Sequence, residues 1–358
     1  MKDTIVTTMP IKPQENISIG MCIAPFLSEI VSQKIETPNI FSINLLHSYE
    51  NKDFVCANYI NALKEIGIKF NKVFIDKENL LYLKKSVYDL YEKGIIVERN
   101  SNIVRCKCGK IDIVKEGIRN FENGDLYYRK GDVLYCKECN SVCKEYKENQ
   151  LYLYLNPKIC DYTKITPNFL QAELNHFYKM MPGKYILVSK NRNTDCQIQT
   201  NNKTYNIDND LLWMNYIQCF NEKNEILIAS NHQLYEMYIL NYINNMSSKK
   251  NLNFIATPYM KKSNFDINQE FNKYDDVLYK KLSLLYSLKW KNKDCTWNKS
   301  IFKGIAKLGG IKREILYNDI IESKISENFN IEEYLNYIFL KEINMQDNVN
   351  SVKKKSLT

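Results

Sequence analysis

Cysteine placement offers the first chemistry. Five of the eleven cysteines fall between residues 106 and 143, in "RCKCGK" (105–110) and "YCKECNSVC" (135–143). Cys106 with Cys108, and Cys136 with Cys139, make two close pairs separated by 27 residues. A tight turn aims both thiolates of a pair at one point, and two such turns build a tetrahedral sulfur site suited to zinc. Four thiolates leave no open coordination position, so zinc held this way is structural. The second pair has the usual two-residue gap and the first only one, which leaves Cys143 as an alternative ligand. Five unrelated thiols are the plainer alternative. A second stretch, "NISIGMCIAPFLSEIV" (16–31), has the outline of a nucleotide-binding loop running into a helix. Gly20 permits close backbone approach, and a helix N-terminus favours an anion. Ser18 offers only a hydroxyl there, and Met21 neither charge nor a useful donor. The three histidines, His47, His176 and His232, stand in no local nucleophile–base signature.

These residues need a scaffold, and the apolar pattern supplies one. "TIVTTMP" (4–10) reads as a buried strand ended by proline. Ile23, Phe26, Leu27, Ile30 and Val31 then recur at helical spacing, which predicts a helix with one face on a core. Pro25 fits such a helix if it falls in the first turn, where no intrahelical bond is lost. "NIFSINLL" (39–46) is a second strand, so the chain opens as a right-handed βαβ unit. Further helices are expected at about 53–66 and 78–93, with the strand "KVFI" between them. Residues 95–160 change to short alternating runs around the cysteines, as an insertion would. Strand patterns resume in "KYILVS" (184–189), "EILIAS" (225–230) and "NFIAT" (253–257), separated by helical stretches at about 209–220 and 232–246. From 275 onward the pattern is helical. The expected class is therefore α/β, with one Rossmann-like parallel sheet interrupted by a zinc-knuckle insertion. The expected units are 1–94 and 161–265 as the two halves of the core, 95–160 as the insertion, and 266–358 as a helical C-terminal region.

Length and composition fit a soluble multidomain protein, with 44% hydrophobic and 25% charged residues over 358 positions. No run of about 18 apolar residues exists to span a membrane. The N-terminus lacks the apolar core of a signal peptide, which points to the cytosol. A net charge of +9 is compatible with a polyanionic partner but is a modest excess.

The order of parts, half a Rossmann sheet, a zinc-knuckle insertion, the other half and then helices, resembles the class I aminoacyl-tRNA synthetases, most closely their methionyl-type branch. The strongest local likeness runs through "NALKEIGIKFNKVFIDKENLLYLKKSVYDLYEKGIIVERNSNIVRCKCGK", where Leu90 to Gly94 spell the family's Leu-Tyr-Glu-Lys-Gly before the first knuckle. The likeness covers roughly residues 4–265. It implies an ATP-dependent ligase that activates an amino acid, with ATP as substrate alongside Mg, structural zinc, and tRNA or a small molecule as acceptor. The family's first signature, His-Ile-Gly-His, falls on Ser18-Ile19-Gly20-Met21, so both phosphate-stabilising imidazoles are replaced. Its second, Lys-Met-Ser-Lys-Ser, falls on Tyr259-Met260-Lys261-Lys262-Ser263, which keeps the second lysine. The family's Ser-Arg turn falls in "SKNRNTDC" (189–196). Its Trp and Asp beside the amino acid fall on Trp213 and Asn215. Its Gly-Lys-Asp segment near the ATP ribose falls on Ala229, Ser230 and Asn231, with His232 adjoining. By resemblance, then, Ser18, Gly20 and Lys262 are the catalytic candidates. Met21, Ser230, Asn231, His232, Met260, Lys261 and Ser263 complete the nucleotide site, and Trp213 and Asn215 meet the amino acid, whose side chain the branch makes apolar.

Two other readings stand beside this one. The degenerate signatures fit a catalytically inactive relative that binds an amino acid, nucleotide or tRNA and regulates or scaffolds. A zinc ribbon gripping nucleic acid ranks last, since Asp112, Glu116, Glu122 and Asp125 intersperse its basic residues. Only residues 266–358 follow the core, without a basic stripe, so ordinary anticodon-directed charging is not implied.

Overall fold

The structure is a computed structural model that describes residues 3–46, 52–113, 118–119, 125–159, 162–190, 194–201, 203–247, 249–260, 271, 274–290, 294–295, 299–322 and 331–340. In chain order, β1 (Thr4–Thr8), α1 (Ile19–Ile35), β2 (Asn39–Ile43), α2 (Lys52–Glu65), β3 (Lys72–Ile75) and α3 (Leu80–Glu92) come first. The cysteine-bearing region contributes β4 (Ile96–Arg105), β5 (Ile111–Ile113), β6 (Ile118–Arg119), β7 (Tyr127–Lys130), β8 (Val133–Cys136) and β9 (Lys144–Tyr154). Then follow β10 (Ile165–Thr166), α4 (Gln171–Met180), β11 (Tyr185–Leu187), β12 (Ser189–Lys190), β13 (Cys196–Gln199) and β14 (Thr204–Ile207). α5 (Asn209–Met214), β15 (Asn224–Ser230), α6 (Leu234–Met246), β16 (Asn251–Thr257) and β17 (Tyr259–Met260) complete the core. α7 (Val277–Ser287), β18 (Asp294–Cys295), α8 (Lys299–Lys307), α9 (Gly310–Ile321) and α10 (Ile331–Leu340) close the described chain. No helix among the described residues is long and apolar enough to cross a membrane.

Six strands form one parallel sheet in the order β10-β16-β15-β1-β2-β3. From β1 the chain winds outward through α1 to β2 and β3; from β15 it winds the other way through α6 to β16. The strand order therefore reverses between β1 and β15, and the crevice at their carboxyl ends is where such sheets bind ligands. Thr8 pairs with Ile228, so the two strands end nearly level. Successive side chains go to opposite faces, and both faces are covered. Ile5, Leu227 and Phe254 pack under α5 and α6, while Val6, Ile226, Ile228 and Ile255 pack under α1.

Two expectations need correcting. "KYILVS" is no strand of the main sheet: β11 joins a five-stranded sheet, β5-β4-β9-β11-β6, and β12 a small three-stranded one. The short apolar run carried no mark of which sheet it would enter, and the edge of the main sheet is instead the two-residue β10. The second correction concerns α1. It starts at Ile19, so Pro25 lies inside the helix, and thirteen of its seventeen residues are buried rather than one face. Its far side is covered by α7 and α10, through Leu282, Leu285, Tyr334 and Leu335.

Proline inside a helix orphans the carbonyl four residues before it. Here that carbonyl belongs to Met21, and the hydroxyl of buried Tyr59 in α2 donates to it at 2.5 Å. Tyr59→Phe removes this donor while keeping the ring, which packs edge-on against Phe41. The expected loss is about 1–3 kcal/mol in urea unfolding, the cost of a buried polar group left unsatisfied. An unchanged midpoint would mean that the Met21 carbonyl finds another donor.

Charges inside the core are matched by dedicated partners. Glu225, fully buried in β15, accepts from Thr7 Oγ1 at 2.6 Å and lies 3.8 Å from Lys250 Nζ. That ammonium also donates to the carbonyls of Ile217 and Phe220, at 2.6 Å each. Burial pushes the Glu225 carboxyl up to about 7. Asp76, following β3, accepts from the backbone N–H groups of Leu45, Leu46 and Lys77 and so fixes the turn leaving β2.

Candidate functional site

The carboxyl end of the sheet collects the segments picked out in the sequence. Ser18 occupies the N-cap position of α1, with extended backbone and no side-chain capping bond. Both Ser18 and Gly20 are exposed there. The first N–H groups of a seventeen-residue helix thus open onto the crevice, which suits a phosphate. Met260 comes alongside: a Cβ built on Gly20 would lie 3.6 Å from Met260 Cβ and 3.7 Å from Ser18 Oγ. Two segments about 240 residues apart in sequence therefore touch at the helix start. Met21 is half-buried and packs on the α1 side of the core, consistent with an apolar role.

The third segment arrives from β15. Ser230 ends the strand, its N–H donates to Gln233 Oε1 at 3.2 Å, and a single 3₁₀ turn over Asn231–Gln233 leads into α6. His232 is exposed, and its ring lies edge-on to Tyr259 with centroids 3.6 Å apart. Tyr259 and Met260 form β17, paired with Asp294 and Cys295 of β18. Lys261, Lys262, Ser263 and His47 lie outside the described residues. His176, on α4, sits beside Phe177, away from this segment in the chain.

α5 reaches the same end of the sheet, because Asn209 Nδ2 donates at 3.0 Å to the carbonyl of Leu46, just beyond β2. Asp208 caps the helix by accepting from Asp210 N at 3.2 Å, and pairs with Lys190 Nζ at 2.7 Å. Trp213 is buried, and its indole N–H donates to Asp210 Oδ1 at 2.9 Å. Asn215 is buried too: its Nδ2 donates to Leu211 O at 2.7 Å and closes the helix. Ser189, at the start of the "SKNRNTDC" turn and in β12, bridges instead to β9 of the five-stranded sheet through Gln150 Oε1 at 2.5 Å and Leu151 N at 3.1 Å. Lys190, Asp210 and Asp76 were not singled out from sequence, and Tyr259 only as the first position of the second signature. Only Asp76, a carboxylate directly after a strand and ahead of a helix, carried a signal that could have flagged it.

The four cysteines converge. The sulfur atoms of Cys106, Cys108, Cys136 and Cys139 all lie within 4.8 Å of one another, so the four could hold a metal ion. Cys106 to Cys139 is 3.3 Å and Cys108 to Cys136 is 3.7 Å. A tetrahedron with Zn–S bonds of about 2.3 Å has edges of about 3.8 Å, so the spacing matches. Each knuckle is turned by one left-handed residue, Gly109 at φ +87° and Asn140 at φ +54°. Gly109 N donates to Cys106 O and Asn140 N to Cys136 O, which closes the two turns. The Ser141 side chain and backbone, with Cys106, hold the exposed Cys139 thiol down to about 6, whereas loss of hydration pushes the Cys108 thiol up to about 12 and raises that of Cys106, so metal binding here has to release those protons. Cys143 is outside the quartet; its thiol faces the Ser141 carbonyl at 3.8 Å, and it packs with Val104 and Leu134 beneath the knuckles.

No protein-family model and no curated protein matches this chain. Solved structures do match. A Mycobacterium tuberculosis methionyl-tRNA synthetase in complex with methionyl-adenylate superposes with a TM-score of 0.61 at 10% identity, over 92% of this chain and 75% of that one. A second structure of that organism's enzyme, also bound by methionyl-adenylate, gives 0.61 at 11% identity, over 89% and 72%. The apo form gives 0.60 at 12%, over 92% and 72%. At such identity the likeness speaks of architecture alone: the chain has a class I synthetase-like fold, shared with methionyl-tRNA synthetases.

Proposed function

We propose that this protein is an ATP-dependent ligase of the aminoacyl-tRNA synthetase type, which activates an amino acid as its adenylate and passes it to tRNA or a small acceptor. One observation carries the reading: the start of α1, the β17 segment and the Ser230–His232 turn, far apart in sequence, converge at the reversal point of the sheet. The solved relatives hold methionyl-adenylate, which supports a site for amino acid and ATP. In this reading the exposed helix N-terminus at Ser18 and Gly20 receives the phosphates, and Lys261, Lys262 and Ser263 follow Met260 over them. Ser230, Asn231 and His232 border the ribose, and Trp213 and Asn215 border the amino acid. The quartet Cys106, Cys108, Cys136 and Cys139 holds zinc as a structural ion, and Mg accompanies ATP.

In-line attack on phosphorus is catalysed mainly by positioning and by charge placed on the transferring group. With Met21 where the family has an imidazole, that charge falls to Lys262 and the α1 amides. Lys262→Ala is therefore expected to lower amino-acid-dependent ATP–pyrophosphate exchange by about 10²–10³-fold, the usual cost of removing one transition-state donor. No exchange with any of the twenty amino acids in the unaltered protein would overturn the ligase reading. Calorimetric binding of ATP without exchange would then support the second reading, a catalytically silent binder, which the apolar Met21 favours.

A further inference from the structure

We infer that a cavity at the amino ends of the main sheet's strands is a binding site for a neutral polyhydroxylated ligand, a sugar or nucleoside with vicinal hydroxyls on its ring. It lies at the opposite end of the sheet from Ser18 and Gly20, and the inference does not depend on the ligase reading. The cavity measures about 850 Å³ and sits around the start of β10, between the sheet, α4 and α10. Pockets for small molecules run from about 300 to 1,000 Å³, so one or two rings fit with room for water.

The sheet supplies one wall. Parallel strands covered on both faces are normally runs of Val, Ile and Leu, and Asn is depleted from strands. Yet Asn224, Asn251 and Asn253 stand on the face that, two residues further along, carries Ile226 and Ile255 beneath α1. Thr4, Asn224 and Asn251 pair across three neighbouring strands into one polar row. Asn251 Nδ2 donates to Asn224 Oδ1 at 3.2 Å, which orients both amides, and Asn251 and Asn253 are exposed. The cover provided by α1 stops short of these residues, and amides replace the branched side chains that a covering helix would need.

The second wall comes from α4 and the turn before it. Asn168, Gln171 and Asn175 recur at helical spacing and share one stripe. Gln171 Nε2 donates to Thr163 O at 3.1 Å and to Asn175 Oδ1 at 2.9 Å, while its Oε1 accepts from Ile165 N at 3.1 Å. These bonds tie the stripe to β10. At the rim Tyr162, 62% exposed, leans on Tyr178 with ring centroids 4.9 Å apart, so it offers a ring already held in place.

This lining selects by chemistry. A carboxamide sets donors beside an acceptor, the complement of adjacent hydroxyls, which each donate and accept. Among the described residues, Lys164 and Glu332 are the only charged groups on the wall, and their charges cancel. α10 begins here with Glu332 and Glu333 in its first turn, which turns that helix N-terminus against anions. A wholly apolar ligand would leave buried amides unpaired, at about 1–3 kcal/mol each. Ile165, Ile226, Leu335 and the Tyr162 ring give the C–H face of a sugar an apolar surface to lie on.

Calorimetric titration of the full-length protein with D-glucose, sucrose, D-ribose and adenosine tests this, with D-glucose 6-phosphate as the charged counterpart. At least one neutral ligand should bind with a Kd of about 1 mM or tighter. The phosphorylated sugar should bind more weakly than the best neutral ligand. Asn253→Val and Asn168→Ala, both at exposed positions, should each weaken binding by about tenfold through lost hydrogen bonds. Adenosine held instead in the ATP crevice would keep its affinity in both variants and overturn the inference. No binding of any neutral ligand, tighter binding of the phosphorylated sugar, or an affinity unchanged in either variant would overturn it too. The ligase reading is measured separately by pyrophosphate exchange, which neither variant should change.

Discussion

Lys281→Ala is expected to destabilise the protein by about 3–5 kcal/mol, the range for breaking a buried ion pair from one side. Lys281 Nζ lies 2.9 and 3.2 Å from the two carboxylate oxygens of Glu29, with side-chain exposures of only 11% and 3%. Removing the ammonium strands the Glu29 charge between α1 and α7, with little water to solvate it. Neither charge is worth much in isolation, because the pair lost its hydration in forming. A double variant, Glu29→Gln with Lys281→Met, should therefore recover most of the loss. Urea unfolding of the single and double variants, with linear extrapolation, gives the comparison. The consequence reaches the site, since α1 carries Ser18 and Gly20 at its start. A single-variant loss below about 1 kcal/mol, the value of a surface pair, would show that water reaches Glu29.

Cys136→Ser should abolish stoichiometric metal binding, whereas Cys143→Ser should leave it intact. Cys136 is 1% exposed and contributes one corner of the sulfur quartet, while Cys143 packs underneath it. Apparent free energies of structural zinc binding run to about 10–16 kcal/mol in small zinc modules. Losing one thiolate is thus enough to release the ion and loosen both knuckles. The main sheet has its own two-sided core, so the damage should stay local. Limited proteolysis should cut within 105–143 after Cys136→Ser or chelation, and spare the parallel strands. Metal analysis showing an undiminished ion in the Cys136→Ser protein, or loss of it in the Cys143→Ser protein, would reassign the ligands.

What could be read from sequence was what local pattern dictates. β1, α1 and β2 follow from a buried run, a helical apolar period and a second run, and the cysteine quartet follows from spacing. What stayed hidden depends on partners distant in the chain. Pro25 could not be placed mid-helix without knowing that Tyr59 satisfies Met21. Nothing local in the sequence pairs Glu29 with Lys281, because 252 positions separate them. "KYILVS" has the same composition whichever sheet receives it, and β10 is too short to leave a period. The convergence of Gly20, Met260 and His232 followed from resemblance, whereas the contact of His232 with Tyr259 had no signature of its own.

The level pairing of β1 with β15 also sets a timetable. β1 leaves the ribosome well before β15, its partner on one side, which ends only at Ser230. At about 5–20 residues per second, that edge waits roughly 10–40 s for its neighbour. Through this interval β1, α1, β2 and β3 form half a sheet with an open, apolar margin, the kind of surface that invites misassembly. The knuckle insertion emerges in the meantime with mostly local pairings and can close early. Nascent-chain capture should therefore find chaperones concentrated on chains that end between about residues 100 and 230, and released once β15 has docked.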